Sequence, residues 1–136
     1  MANALFDKGR EGFLGGDIDW DAHNIKLVFV DHAVDTPVVA TDDFLDDIAA
    51  GARVATSGNF TTKTKTNGVA DADDVTLVAV AGASVESIVI FDDTPATEAT
   101  KNLIAFIDTA TGLPLTPNSG NVTVQFDNGA NKVFKL

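Results

Sequence analysis

The stretch Ile25-Lys26-Leu27-Val28-Phe29-Val30 decides the fold of this chain, and it ends at Asp31-His32. It is rich in β-branched, aliphatic and aromatic side chains, which pack well on a pleated surface. Its length and the polar residues after it are typical of a single strand. The stretch therefore predicts a buried β-strand.

Short strand-like runs follow beyond residue 52, with almost no helical periodicity. They are separated by residues that tolerate tight turns, such as Asn67-Gly68 and Ala81-Gly82. This spacing predicts a mainly β fold, either a single-domain antiparallel β-sandwich or a partly closed barrel. The predicted runs cover residues 53–56, 60–66, 74–80, 87–91, 103–108, 121–127 and 132–136.

A hairpin is predicted for the last two runs. Asn128-Gly129 lies between them, and this dipeptide is the strongest two-residue hairpin signal because it suits a type I′ turn. Counting outward from that turn pairs Val124 with Val133 on one face and Thr123 with Phe134 on the other.

An N-terminal helical arm is predicted over residues 1–16. Asn3 can cap its helix, and Gly15-Gly16 stops it. Gly9 and Gly12 each cost about 1 kcal/mol relative to alanine in a helix interior. We therefore expect the arm to need docking, on its own core or on a neighbouring subunit.

A second helix is predicted over residues 42–50, inserted in a single β-rich domain that spans residues 17–136. Thr41 can cap it, aspartates in its first turn favour the positive helix end, and Gly51 closes it.

Composition and charge exclude several function classes. The chain has 136 residues, enough for one domain, and it has no cysteine, which excludes disulfides, thiolate catalysis and cysteine-ligated metals. Its net charge of −11 repels nucleic acids and anionic membranes, so neither is predicted as a partner. No apolar run is long enough to span a membrane and no signal peptide is apparent, so we expect synthesis and folding in a cytoplasm.

Patterns for catalysis fail along the chain. Ser57 and Ser84 do not lie in a Gly-x-Ser-x-Gly elbow, and no phosphate-binding glycine motif is present. His23 and His32 are too far apart in sequence for a helical metal motif, and we interpret them as solvated or hydrogen-bonded residues. The sequence predicts no enzyme and no cofactor.

Alternating acids at Asp17, Asp19 and Asp21 resemble the beginning of a calcium loop. The loop fails at two diagnostic positions, because Ala22 replaces the required glycine and Val28 replaces the bidentate glutamate. A calcium site of another type stays open there. The favoured interpretation places the three carboxylates in water at the start of a strand, between inward-facing apolar residues.

Trp20 is the only tryptophan, and it has two interpretations: a platform that stacks on a sugar, or an anchor in the core. The chain has no tyrosine, so the aromatic surface common in carbohydrate-binding proteins is missing, and the anchor is favoured. Other acids are interpreted as solvated, although a carboxylate pair for glycoside hydrolysis stays open. These acids are Asp42, Asp43, Asp46 and Asp47 on the predicted helix, Asp71, Asp73 and Asp74 in a turn, and Asp92 and Asp93 in another turn.

Five segments together resemble a family of small virion structural proteins of tailed bacteriophages, and the resemblance spans nearly the whole chain. Their motifs are turn and strand signatures, so the resemblance carries over no functional residues. The segments are Met1-Ala-Asn-Ala-Leu-Phe-Asp-Lys8, Gly15-Gly-Asp-Ile-Asp-Trp-Asp21, Ala50-Gly-Ala-Arg-Val-Ala-Thr-Ser-Gly58, Gly68-Val-Ala-Asp-Ala-Asp-Asp-Val75 and Phe126-Asp-Asn-Gly-Ala-Asn-Lys-Val-Phe-Lys-Leu136.

The resemblance implies a non-enzymatic particle component located in the virion. It implies a head decoration (cement) protein that binds the major capsid protein, or a tail or fibre component that recognises a host-surface glycan. A cement role favours a symmetric homo-oligomer, and we expect a trimer.

Two contact elements are predicted for such a role: the arm and an edge strand near residues 61–66. The alternatives are that the arm covers one end of the sheet, and that lysines only protect an edge strand from aggregation. The predicted interface residues are Leu5, Phe6, Phe13 and Leu14 of the arm, and Lys63 and Lys65 of the edge strand.

Overall fold

A five-stranded antiparallel sheet forms the centre of the fold in a computed structural model that describes residues 3–136. In chain order, the strands are β1 (Ala4–Leu5), β2 (Ile25–Val30), β3 (Arg53–Thr56), β4 (Thr64–Thr66), β5 (Val69–Asp71), β6 (Val75–Leu77), β7 (Ser87–Asp92), β8 (Leu103–Ile107), β9 (Val122–Val124) and β10 (Phe134–Lys135). The central sheet has the strand order β1-β8-β7-β2-β3, and two smaller sheets have the orders β10-β5-β4 and β6-β9. The fold is mainly β and sandwich-like, as predicted, and its central sheet does not close into a barrel.

Strand β2 lies inside the central sheet and is buried on both faces, which confirms the buried strand predicted there. Its side chains alternate between two cores: Leu27 and Phe29 belong to one, and Val28 and Val30 to the other. Both neighbours pair with it antiparallel, β7 over its full length and β3 over its second half.

The two small sheets cover the first face of the central sheet. Leu77 of β6, Ala70 of β5 and Phe134 of β10 are buried in the same core as Leu27 and Phe29. This packing of sheet on sheet makes the sandwich.

Irregular segments cover the second face, where Phe6, Leu45, Ile48 and Ala52 pack on Val28 and Val30. The helix predicted over residues 42–50 is wrong. Two 3-10 turns, Leu45–Asp47 and Ala50–Ala52, occupy this region.

Tertiary partners take the backbone groups that an α-helix would need. The Leu45 amide donates to the Lys101 carbonyl at 3.0 Å, and Arg53 donates to the carbonyls of Leu45 and Ile48, both at 2.9 Å. The Asp47 carboxylate accepts from the Asp43 amide at 2.8 Å. Aspartate side chains compete with helical hydrogen bonds in this way, and sequence periodicity does not reveal it.

The N-terminal arm is shorter than predicted and is docked on its own domain. Helix α1 covers Asp7–Gly15, and Gly16 ends it with a φ of 83°. Asn3 does not cap the helix; its Oδ1 accepts from the amides of Asp108 and Thr109, both at 2.9 Å. Residues 1 and 2 of the predicted arm lie outside the described residues.

Predicted strand bounds are most accurate in the central sheet. The bounds of β2 and β3 are as predicted, β7 extends one residue further, and β8 ends one residue earlier. The four other predicted runs shorten to two or three residues each, and β1 and β5 were not predicted.

The predicted C-terminal hairpin is wrong. Strand β9 pairs with β6, and β10 pairs with β5, so Val124 faces Val75 and Phe134 faces Ala70. The other Asn-Gly dipeptide forms the turn instead: Asn67 and Gly68 have φ angles of 56° and 76° and connect β4 to β5.

This turn assignment predicts that replacing glycine with alanine lowers the stability of the fold more at Gly68 than at Gly129. Gly68→Ala is expected to destabilise the fold by about 1 to 2 kcal/mol, because a left-handed φ strains a residue with a Cβ. Gly129→Ala is expected to change stability by less than about 0.5 kcal/mol, because a Cβ there meets only the movable Asp127 carboxylate. Urea unfolding of both variants measures the difference, and equal costs would contradict the assignment.

Close packing of α1 on β8 predicts that a better helix former weakens the fold. A Cβ on Gly9 would lie 2.5 Å from the Leu103 carbonyl oxygen, which is backbone and cannot move aside. Gly9→Ala is expected to lower the free energy of unfolding by about 1 to 3 kcal/mol. Gly15→Ala, on the exposed end of the same helix, serves as the control and is expected to be neutral or stabilising by up to about 1 kcal/mol. Thermal denaturation compares the two, and a stabilised Gly9 variant would refute the packing.

Candidate interaction surface

A groove of about 430 Å³ lies between the end of α1 and the three-stranded sheet. Aromatic and aliphatic side chains dominate its lining, and two charged residues, Asp19 and Lys65, join them. The lining residues are Phe13, Gly16, Ile18, Asp19, Trp20, Lys65, Gly68, Val69, Ala70, Phe134 and Leu136.

Trp20 is an anchor in the core, as favoured from the sequence, with only 4% of its surface exposed. Its ring contacts Phe134 and Phe60 edge-on, with centroids 5.2 and 6.1 Å away. Its indole Nε1 donates to the Asp71 carbonyl at 3.3 Å. A ring packed in this way does not offer a face on which a sugar can stack.

The predicted arm residues divide into buried and exposed ones. Leu5 and Phe6 are buried in the two cores of this chain and do not lie on its surface. Phe13 is half-buried and packs on Phe134, with ring centroids 5.9 Å apart. Leu14 is 90% exposed.

The predicted edge strand is confirmed over Thr64–Thr66, because β4 is the outer strand of its sheet and all three of its residues are exposed. Lys63 lies just before this strand. Lys65 Nζ lies 3.0 Å from the Asp21 carboxylate, so this lysine already has an acidic partner in its own chain. That hydrogen bond and the charge of Asp21 raise the pKa of Lys65. Lys63 makes no ion pair with any residue of the described chain.

The three alternating aspartates are exposed, as favoured, while Ile18 and Trp20 between them are buried. They lie before β2, in an irregular segment that ends in a turn at Asp21, and not in a strand. The Asp19 carboxylate accepts from the amides of Ala22 and Asp21, each at 3.1 Å, and these bonds lower the pKa of Asp19. Within residues 3–136, no group of three metal-ligating side chains converges.

Both histidines are hydrogen-bonded, in line with the sequence interpretation. His32 Nε2 lies 2.8 Å from the Ser87 hydroxyl, and its ring stacks on Phe106 at a centroid distance of 6.1 Å. His23 Nδ1 lies 2.6 Å from the buried Asp92 carboxylate. This contact fastens the turn before β2 to the end of β7.

Interpretation of Asp92 and Asp93 as a solvated turn is wrong. Asp92 is fully buried, and Asp93 is about one-fifth exposed between two lysines. Lys101 Nζ lies 2.6 Å and Lys26 Nζ 2.7 Å from the Asp93 carboxylate. Burial opposes ionisation of Asp93, but the hydrogen bonds from Lys101 and Lys26 outweigh it and lower the pKa of this carboxyl.

Acids of the 42–47 segment lie close together without a lysine or arginine partner among the described residues. Burial, a hydrogen bond to Asp47 and repulsion by its charge raise the pKa of Asp43. The Asp43 amide bonds to the Asp47 carboxylate and lowers the pKa of Asp47. The Asp47 carboxylate therefore caps a backbone turn. This structural role accounts for the hydrogen bonds of the pair, and no bound substrate is needed to explain them.

Two further cavities of about 690 and 560 Å³ flank the segment 124–128. The larger one lies over Phe29 and Ile88 of the central sheet, and its polar groups include Asp74 and Thr123. The Asp74 carboxylate already accepts from the Phe126 amide at 2.9 Å.

Sequence reasoning missed the groove itself, although it named Phe13, Trp20 and Lys65. Residues 13, 65 and 136 are far apart in sequence and meet only because β10 pairs with β5. The sequence signals only one part of this arrangement: the dipeptide Asn67-Gly68 places the edge strand β4 beside β5.

Comparisons with known proteins add no assignment: no family model matches the chain, and no curated protein matches its sequence. No helix within residues 3–136 has the length and apolar character needed to cross a bilayer.

The lowered pKa of Asp93 predicts how stability depends on pH. Its ionised form is bound more favourably in the folded state, so it stabilises the fold above the ordinary aspartate pKa, and this contribution is lost as the pH falls through the lowered value. Asp93→Asn is expected to cost about 1 to 3 kcal/mol at pH 7, and the difference from the parent protein is expected to fade below about pH 4. Asp17→Asn is the control, since Asp17 is exposed and has no ion pair with residues 3–136. Denaturant unfolding across pH measures both, and a cost of Asp93→Asn that does not change with pH would contradict this account.

Proposed function

We propose that this chain is a non-enzymatic structural protein of a tailed-phage particle. In this role, it binds the outer surface of the head, contacts the major capsid protein and reinforces the joints between capsomers. The resemblance of five segments to small virion structural proteins carries the proposal.

Those five segments contain many of the residues that determine the fold. Ile18 and Trp20 of the second segment are core residues, the third contains β3, and the fourth contains β5. A similarity concentrated in such positions supports a shared architecture, and a structural role requires architecture more than a constellation of reactive groups.

The use of polar side chains also supports a structural role. The groups that a hydrolase would employ are occupied in holding turns: His23 binds Asp92, His32 binds Ser87, and Asp47 caps the amide of Asp43. Every buried side-chain nitrogen and oxygen in residues 3–136 has a hydrogen-bond partner. Polar groups fully committed to internal bonds favour a rigid building block.

The tail or fibre alternative loses the residue on which it depended. It required Trp20 to be exposed beside polar groups, and Trp20 is buried against Phe60 and Phe134. No exposed tryptophan can replace it, because Trp20 is the only tryptophan of the chain.

Sedimentation with phage particles tests the proposal. Purified protein is mixed with heads that lack it and, separately, with isolated tails, and its ratio to the major structural protein is measured in each pelleted band. Saturable binding to heads in a fixed ratio to capsid protein is expected. Binding to tails alone, or to neither, would overturn the proposal.

Reinforcement of the joints has its own readout. Because the protein binds the assembled head, mass action predicts that decorated heads withstand higher temperatures than bare heads. In the sedimentation experiment, heads already saturated with the protein are the control for non-specific pelleting, since they should bind no additional copies. Equal heat resistance of bare and decorated heads would remove the reinforcing function and leave only attachment.

A further inference from the structure

The dipeptide Asn128-Gly129 takes no part in a strand or a hairpin, although its sequence is the strongest two-residue hairpin signal. Both residues are exposed, and they lie between β9 and β10, which belong to different sheets. Within residues 3–136, neither the Asn128 side chain nor the Gly129 amide makes a hydrogen bond. No hydrogen bond of these groups in that range therefore opposes rotation of the backbone at this position.

An asparagine followed by glycine can react with its own backbone. The Gly129 nitrogen attacks the side-chain carbonyl carbon of Asn128, and the amide proton ends on the side-chain nitrogen, which leaves as ammonia. Glycine favours this attack because no Cβ obstructs its nitrogen. The product is a five-membered succinimide ring. Water then adds to one of the two ring carbonyl carbons and opens the ring to aspartate or to isoaspartate.

The fold holds the other Asn-Gly dipeptide in place. Asn67 and Gly68 have φ angles of 56° and 76° and form the turn between β4 and β5, where Thr66 pairs with Val69. The Gly68 carbonyl also accepts from the Leu136 amide at 2.9 Å. Ring closure at Asn67 requires rotation about backbone bonds that these pairings fix, so the turn must open before the reaction can occur.

We propose that Asn128 is a site of spontaneous deamidation in the folded protein, while Asn67 is protected by its turn. Water is the only co-reactant. The modification adds a negative charge next to Asp127, and its isoaspartate form lengthens the main chain between β9 and β10 by a methylene group. Neither Asn128 nor Gly129 belongs to a strand, so the modified chain is expected to stay folded. This inference does not depend on the proposed virion role.

Ageing of the purified full chain in mildly alkaline buffer tests the proposal. Samples taken at intervals are digested at acidic pH, where the reaction is slow, and mass spectrometry measures the deamidated fraction at Asn67 and at Asn128. Labelling with an isoaspartyl methyltransferase identifies isoaspartate. Asn128 is expected to react at least about tenfold faster than Asn67, because Asn67 reacts only when its turn is open. Equal rates at the two sites, or no reaction at Asn128, would overturn the proposal.

Unfolding the chain in urea is the first control. Both sites consist of the same two residues, so their rates are expected to converge once the turn at Asn67 is lost, mainly because Asn67 reacts faster. A rate difference that persists in the unfolded chain would mean that neighbouring residues cause it and not the fold, and this result would refute the proposal.

Gly129→Ala is the matched variant, since its effect on stability is expected to be small. It is expected to slow deamidation of Asn128 severalfold, because the added Cβ obstructs attack by the backbone nitrogen. An unchanged rate would show that water hydrolyses the side-chain amide directly, which contradicts the proposed route. Thermal melting of aged and fresh protein completes the test. Equal melting temperatures are expected, and a lower one for the aged protein would contradict the placement of the site outside the paired strands.

Discussion

Burial of β2 on both faces is the constraint on which the rest of the structure depends. A strand whose side chains alternate between two cores requires a cover on each side of its sheet. The chain provides two different covers. The small sheets contribute Ala70, Leu77 and Phe134 to one side, while the docked arm and the 3-10 turns contribute Phe6 and Leu45 to the other.

The central sheet could be predicted from the sequence because its signal is local. Continuous apolar runs located β2 and β7, and burial on both faces is what such runs require. The covers could not be predicted, because distant partners decide them. Residues 42–50 have a helical pattern, yet Arg53 and Lys101 bind the backbone groups of that segment, and Asn128-Gly129 has a turn signature that the pairing of β10 with β5 overrides.

For the candidate surface too, features set by local sequence could be predicted and features set by distant partners could not. The burial of Trp20 followed from its neighbours in sequence, and so did the exposure of the aspartates beside it. Asp92 and Asp93 were misinterpreted, because a pair of acids before a proline resembles a solvated turn. Their partners, His23 and Lys26, lie about seventy residues earlier and reach them only through the pairing of β2 with β7.

The docking of the arm follows from the same constraint, because the second face of the central sheet needs a cover. Helix α1 turns Gly9 and Gly12 toward the domain, where any Cβ would collide with Leu103 or Ile18. A helix buried through its glycines has its larger apolar side chains elsewhere, and Leu14 accordingly faces water. The beginning of the arm covers the second face of the central sheet through Phe6, and its end leaves Leu14 exposed to water.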